Sequence, residues 1–295
     1  MFNSLNMKIK SIYEFLLWDN CNNNCSFCFQ RVKPRLFNNN EQEIILDKIL
    51  AFLDSDEYEK GNHVLIVGGE LFYKQFDSLI TFFDTITYKM CKDQIDLLYL
   101  NTNLIYDKTF DTMLVPVLEY FEKRDLFERL KFTTSYDIAG RFHDKESENL
   151  CLSNMIKLSD RFKDLHTVAN IILTKPFCNA VLNGTFDLKK FIDTYKVRVN
   201  LIPYIVLSES LKPTREEVFS CLMKINDEMP EFIKNYVENM DLRHKRYLYA
   251  CHPDKFKLCS CENADCGHSV NFRKYSDDPN ACYVCDLKSV FSQYE

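Results

Sequence analysis

Along the first two thirds of the chain, short apolar runs alternate with segments whose apolar residues recur at helical spacing. The runs at 11–18 (SIYEFLLW), 63–67 (HVLIV), 95–100 (IDLLYL), 129–134, 167–173 (TVANIIL) and 197–204 (VRVNLIPY) read as short buried strands. Between them, Phe110, Met113, Leu114, Val117, Leu118 and Phe121 fall on one helical face. Comparable stripes run over about 41–54, 71–90, 146–161 and 186–195. Repeated strand–helix units predict an α/β fold with a parallel sheet covered by helices. Such a sheet is an open doubly wound one or a partial barrel, and in either its site lies at the carboxyl ends of the strands.

The pattern then changes. Residues 213–248 read as two helices, opened by Pro213-Thr214 with Glu216 and Glu217 in the first turn. From Cys251 the apolar periodicity fades and Asp, Asn, Lys and Cys take over, a composition that depends on cross-links or metal for order. The predicted organisation is a barrel over 1–208, a helical connector over 209–250 and a cysteine-rich, metal-binding tail over 251–295.

Composition narrows the classes. Hydrophobic residues at 46% and charged residues at 27% are those of a soluble globular protein. A net charge of −6 argues mildly against a broad nucleic-acid surface, yet a local basic patch would suffice, so nucleic acid is not excluded as a partner. The segment MFNSLNMKIK lacks the apolar run of a signal peptide, and no stretch approaches bilayer-spanning length, so no membrane and a cytoplasmic location are expected. In reducing cytosol, 13 cysteines point to metal ligands or redox groups rather than disulfides.

Three clusters carry chemistry. Cys21, Cys25 and Cys28 form a C-x3-C-x2-C loop directly after the first strand run. Thiolates so spaced can converge on one centre, and soft sulfur favours an iron–sulfur cluster, zinc or copper(I). Three ligands leave one iron of a cubane open for a small molecule; a zinc site completed from elsewhere, or plain packing, is the competing reading. Gly68-Gly69-Glu70 closes the second run, in a chain with only 6 glycines, where glycine permits close backbone approach to a ligand or simply makes a tight turn. The tail holds Cys259, Cys261, Cys266, Cys282 and Cys285, with Cys251, His252 and His268 as further candidates, and Cys282-Tyr-Val-Cys285 is a C-x2-C knuckle.

The cysteine loop with an aromatic before its third cysteine, followed by Gly-Gly-Glu after strand two, resembles the radical S-adenosylmethionine enzymes over residues of about 1–205. The resemblance implies a partial (β/α)6 barrel with a short cysteine-rich extension similar to a SPASM or twitch segment. It implies a [4Fe–4S] cluster on Cys21, Cys25 and Cys28, and S-adenosylmethionine on its open iron. Phe27 would lie near the adenine, and Gly68, Gly69 and Glu70 would bind the methionyl amino group. Asn103 sits in Asn101-Thr102-Asn103-Leu104, similar to a Thr-Asn-Gly motif without its glycine. Ser135 and Asp137 match positions that contact the ribose or methionyl carboxylate, while Asn170 and the run Leu201-Ile202-Pro203-Tyr204 match more loosely. Leu71 stands where a proline often follows, and no glycine-rich adenine motif comes after strand five.

The implied activity is reductive cleavage of S-adenosylmethionine to a 5′-deoxyadenosyl radical that abstracts hydrogen from a substrate. A peptide or protein substrate is expected from the tail, with flavodoxin or ferredoxin as electron donor and a second metal site, auxiliary [4Fe–4S] or zinc, in the tail. Modification of a nucleotide or RNA, and a zinc-stabilised binding protein without catalysis, are the alternatives. Of the scattered residues, Cys91 and Cys221 are expected to pack in helices, and His63 and His166 lie at strand starts away from the site. Cys178 follows strand five on the presumed site face, as a candidate radical-relay or substrate-contact residue, and Arg141 and His143 follow strand four on that face, read first as a solvated loop and second as substrate contacts.

Overall fold

A computed structural model of the protein describes residues 11–26, 28, 36–203, 209–239, 246–251, 253, 254 and 256–258. Six strands match the six apolar runs: β1 (Ile12–Leu16), β2 (Asn62–Val67), β3 (Ile95–Thr102), β4 (Leu130–Tyr136), β5 (Val168–Leu173) and β6 (Arg198–Pro203). They lie in chain order and parallel, β1 through β6. The helices are α1 (Asn39–Asp54), α2 (Asp77–Cys91), α3 (Val115–Lys123), α4 (Lys145–Arg161), α5 (Lys175–Leu182), α6 (Leu188–Tyr195), α7 (Arg215–Glu228) and α8 (Pro230–Asn239). A π-helical turn, Phe110–Leu114, leads into α3.

Burial along the strands decides between the two sheet types. In β4, Leu130, Phe132, Thr134 and Tyr136 are buried, whereas Lys131, Thr133 and Ser135 are exposed or half-exposed. β2 and β5 alternate in the same way. A doubly wound sheet is covered on both faces and reads as a continuous apolar run. Here one face packs on helices and the other stays half open, the arrangement of a partial (β/α)6 barrel. Phe15, Val64, Leu98 and Phe132 form the packed side with Ile45, Ile49 and Phe52 of α1 and Phe83 and Ile86 of α2.

The caps follow the sequence. Asn38 and Thr214 each close a capping box, with Glu41 and Glu217 as reciprocal partners, and Asp144, Thr174 and Asp187 accept from N–H groups of their first turns. Within the region 213–248 the second helix is described over Pro230–Asn239, and residues 246–248 belong to a strand instead. This strand, β7 (Arg246–Cys251), pairs parallel with the free side of β1. β8 (Phe256–Leu258) then pairs antiparallel with β7, giving the order β6-β5-β4-β3-β2-β1-β7-β8. Because β7 runs parallel to β1, the chain returns to the carboxyl-end face at Cys251, which is buried. Lys48 of α1 donates to the Pro253 carbonyl and holds the turn that follows.

Candidate metal and cofactor site

The cysteine loop leaves β1 along the end of β2. Leu17 N–H still donates to Val67 O at 2.9 Å, then Gly69 N–H to Trp18 O at 2.7 Å and Glu70 N–H to Asn20 O at 2.8 Å. This close run is what requires the glycines. A Cβ on Gly68 would stand 2.9 Å from Trp18 O, and one on Gly69 would stand 2.0 Å from Asn20 O. The neighbour admitted by these two residues is therefore the chain's own backbone, one residue before Cys21. The side chain of Asn20 closes the loop at its base, accepting from Phe37 N–H at 3.0 Å and donating to Phe37 O at 3.1 Å.

N–H donors from the loop and its neighbours reach the sulfurs of Cys21 and Cys25. Asn23 donates its backbone N–H to Cys21 Sγ at 3.3 Å and its Nδ2 to Cys25 Sγ at 3.2 Å. Asn103 Nδ2 lies 3.7 Å from Cys21 Sγ, and Arg141 Nη1 lies 3.9 Å from Cys25 Sγ. Neutral thiols are weak acceptors, so converging donors suit thiolates, and hydrogen bonds to sulfur are a recurrent feature of iron–sulfur sites. Without a metal, burial pushes the Cys21 thiol up to about 11, reinforced by Glu70 and the neighbouring thiols and opposed by the Asn23 N–H. Coordination to a cation reverses that balance. Among the described residues no three His, Cys, Asp or Glu side chains converge on the spacing of a single metal ion. Three thiolates on one loop are the donor type that either an iron–sulfur cluster or a zinc ion takes.

Glu70 anchors the neighbouring strand ends. It is 1% exposed; Oε1 accepts from Phe72 N–H at 3.1 Å and Thr102 Oγ1 at 2.9 Å, and Oε2 accepts from Asn103 N–H. Burial raises its pKa, and the three donors and the Arg141 charge pull it back. Asn103 also donates to Asn22 Oδ1 at 2.8 Å and accepts from Ile105 N–H at 2.7 Å, while Asn22 donates to the Ile105 carbonyl. Leu104 takes the place of the motif's missing glycine and keeps its conformation, with φ at 57° in the left-handed region. Fully buried Asn154 of α4 secures that turn, donating to Leu104 O at 3.0 Å and Tyr106 O at 2.7 Å.

The β4 end adds a buried carboxyl group and a buried guanidinium. Asp137 is 1% exposed; its Oδ1 accepts from Ala139 N–H at 2.8 Å and its Oδ2 has no hydrogen-bond partner. Burial pushes its carboxyl up to about 7, against the pull of Ala139, Arg141 and Thr174. Arg141 is buried, contrary to the solvated loop expected there. Its carbonyl accepts from Asn23 Nδ2 at 3.1 Å, and Ser26 N–H donates to Gly140 O at 2.6 Å, so the β4 loop clasps the cysteine loop. Ser135, Asn170 and Asn200 form one register row on the half-open face, with Asn200 Nδ2 donating to Asn170 Oδ1 at 3.1 Å.

Neither a protein-family model nor a curated protein sequence matches the chain. Solved structures do. anSMEcpe, solved with AdoMet bound, matches at a TM-score of 0.50 and 14% identity, over 80% of this chain and 63% of that one. The chain has the fold of the radical S-adenosylmethionine enzymes. Streptococcus suis SuiB bound to S-adenosylmethionine matches at a TM-score of 0.47 and 14% identity, over 83% of this chain and 52% of that one. anSMEcpe with AdoMet and the Cp18Cys peptide matches at 0.47 and 12%, over 80% and 63%. This chain thus spans between about half and two thirds of the proteins whose fold it shares.

On the radical S-adenosylmethionine fold, the expected positions Cys21, Cys25, Cys28, Gly68, Gly69, Glu70, Asn103 and Asp137 gather at the carboxyl ends of β1 to β4. Phe27 and the tail positions Cys259, Cys261, Cys266, Cys282 and Cys285 lie outside the described residues. Cys178 is buried in the first turn of α5 against Cys221 of α7, a contact that raises its pKa. Cys91 is exposed at the end of α2 rather than packed. Asn20, Asn22 and Asn23 are the site residues that the sequence reading does not single out, while Arg141, read at the site face, lies against the cysteine loop. An asparagine run between cysteines was the one available signal, and it was obscured by the chain's general richness in asparagine.

Proposed function

We propose that the chain is a radical S-adenosylmethionine enzyme in which Cys21, Cys25 and Cys28 hold a [4Fe–4S] cluster. The observation that carries this reading is the cysteine triplet at the end of β1, with N–H donors of Asn23, Asn103 and Arg141 aimed at its sulfurs. When bound, the cluster would supply one electron for cleaving S-adenosylmethionine into methionine and a 5′-deoxyadenosyl radical, the species that would abstract hydrogen from a substrate. The protein's own groups hold and orient. The N–H groups of Gly69 and Glu70 are already used on Trp18 and Asn20, so in this reading it is the segment's backbone carbonyls that would meet an ammonium such as the methionyl amino group. Both Glu70 oxygens accept from within the fold, so Glu70 acts by fixing Thr102 and Asn103. The half-open row Ser135, Asn170 and Asn200 offers hydroxyl and amide groups to the nucleoside or the substrate.

A peptide or protein is the substrate we assign, on the resemblance of the tail's five cysteines to the SPASM type, with a second metal site there and flavodoxin or ferredoxin as donor. Iron, zinc and acid-labile sulfide measured after anaerobic reconstitution test the reading. About four irons and four sulfides or more per chain are expected, falling by one cluster in the Cys21→Ala, Cys25→Ala, Cys28→Ala variant. Zinc without sulfide would replace the enzyme with a zinc-stabilised binding protein.

A further inference from the structure

A charged residue in a loop at a strand end ordinarily faces water, yet Arg141 is 5% exposed. Its Nη1 lies 3.9 Å from Cys25 Sγ, and its carbonyl receives the same Asn23 amide that lies 3.2 Å from that sulfur. Both the main chain and the side chain of the residue are therefore committed to one cysteine. Its Nε is buried without a hydrogen-bond partner. Glu70 and Asp137 lie within reach of its field, and each is held toward its ionised form by it. Burying a cation costs several kcal/mol unless negative charge lies beside it, and a thiolate on Cys25 would complete the set.

We propose that Arg141 is a positioning residue that holds its charge on Cys25 and thereby raises the midpoint potential of the cluster on the cysteine triplet. The inference rests on the function proposed above. Reduction adds one electron, delivered by a low-potential one-electron donor, and places extra negative charge on the iron–sulfur core and its sulfur ligands. A guanidinium a few ångströms away in a dry site stabilises the reduced form more than the oxidised one. Asp137 tempers the effect by offsetting part of that charge. No proton or leaving group enters the step.

The test uses the full chain, reconstituted anaerobically, as wild type, Arg141→Gln, Arg141→Lys and Asp137→Asn. Iron and sulfide are measured first, and the midpoint potential is then read by dye-mediated titration with EPR detection, without S-adenosylmethionine and in mildly alkaline buffer. Arg141→Gln is expected to lose at least tenfold in the reduction equilibrium, a shift of about 59 mV to more negative potential for a one-electron couple. Arg141→Lys should restore most of it, and Asp137→Asn should shift the potential the opposite way. A merely structural Arg141 would leave loaded protein at the wild-type potential, and that result overturns the assignment. If Arg141→Gln does not load, the sign for Asp137→Asn decides, and a shift to more negative potential overturns it. Wild type that binds no cluster would overturn the proposed function, whereas loaded variants sharing one potential would overturn this inference alone.

Discussion

At the scale of single residues, the site depends on where backbones touch. The first consequence concerns Gly69. An added Cβ meets Asn20 O at 2.0 Å, and backbone cannot swing aside as a long side chain can. Gly69→Ala should therefore displace Asn20 and, with it, Cys21, so that iron loading falls together with S-adenosylmethionine cleavage. Full iron content in Gly69→Ala would show that the contact is not limiting. Asp137 gives a pH prediction. Its carboxyl titrates near 3.9 in an unfolded chain and near 7 in the fold. Between those values the folded protein binds more protons, so stability falls as pH rises from about 4 through 7. A tenfold difference in proton affinity between the folded and unfolded chain is worth about 1.4 kcal/mol, so the metal-free protein should lose a few kcal/mol across this window. Glu70 acts in the same direction. Asp137→Asn should flatten the profile in denaturant titrations; an unchanged slope would mean the carboxyl is better solvated than its burial implies. Leu104 explains why its motif was only half legible. The letter glycine is missing, but the left-handed turn persists because Asn154 and the Thr102 hydroxyl hold it from both sides.

At the scale of elements, legibility followed length. Six strands were readable because each is a run of apolar residues between turn residues, and α1, α2 and α4 because each is 15 residues or more with a clear stripe. The eight-residue α5 does not stand out in the sequence because it begins with Lys175-Pro176 and its apolar residues continue those of β5, whereas the equally short α6 carries its own stripe. β7 was read as the end of a helix, since six residues after a helical region do not reveal whether a partner strand exists; the unpaired side of β1 supplied one. Asn154 of α4 satisfies two buried carbonyls in the turn after β3. Asn154→Ala should destabilise the fold by about 2–4 kcal/mol, at roughly 1–3 kcal/mol per buried polar group left unpaired. A change under about 0.5 kcal/mol in chemical unfolding would mean water replaces the amide.

At the scale of the whole molecule, a sheet packed on one face and half open on the other places polar side chains inside a partial barrel, with the cysteine loop at its carboxyl end. No helix among the described residues is long and apolar enough to cross a membrane. The cysteine triplet and Gly-Gly-Glu were legible because their chemistry is encoded by residue type at fixed spacing. The clasp of Asn20, Asn23 and Arg141 around them was not, because it forms between residues up to 118 positions apart. On the function proposed above, this assembly cleaves S-adenosylmethionine reductively. The direct measurement is 5′-deoxyadenosine formed when S-adenosylmethionine and dithionite are added to anaerobically reconstituted protein. Wild type should form it, slowly even without substrate, and the Cys21→Ala, Cys25→Ala, Cys28→Ala variant should form none above the protein-free control. Equal amounts from both proteins, or none from wild type carrying a full cluster, would contradict the account.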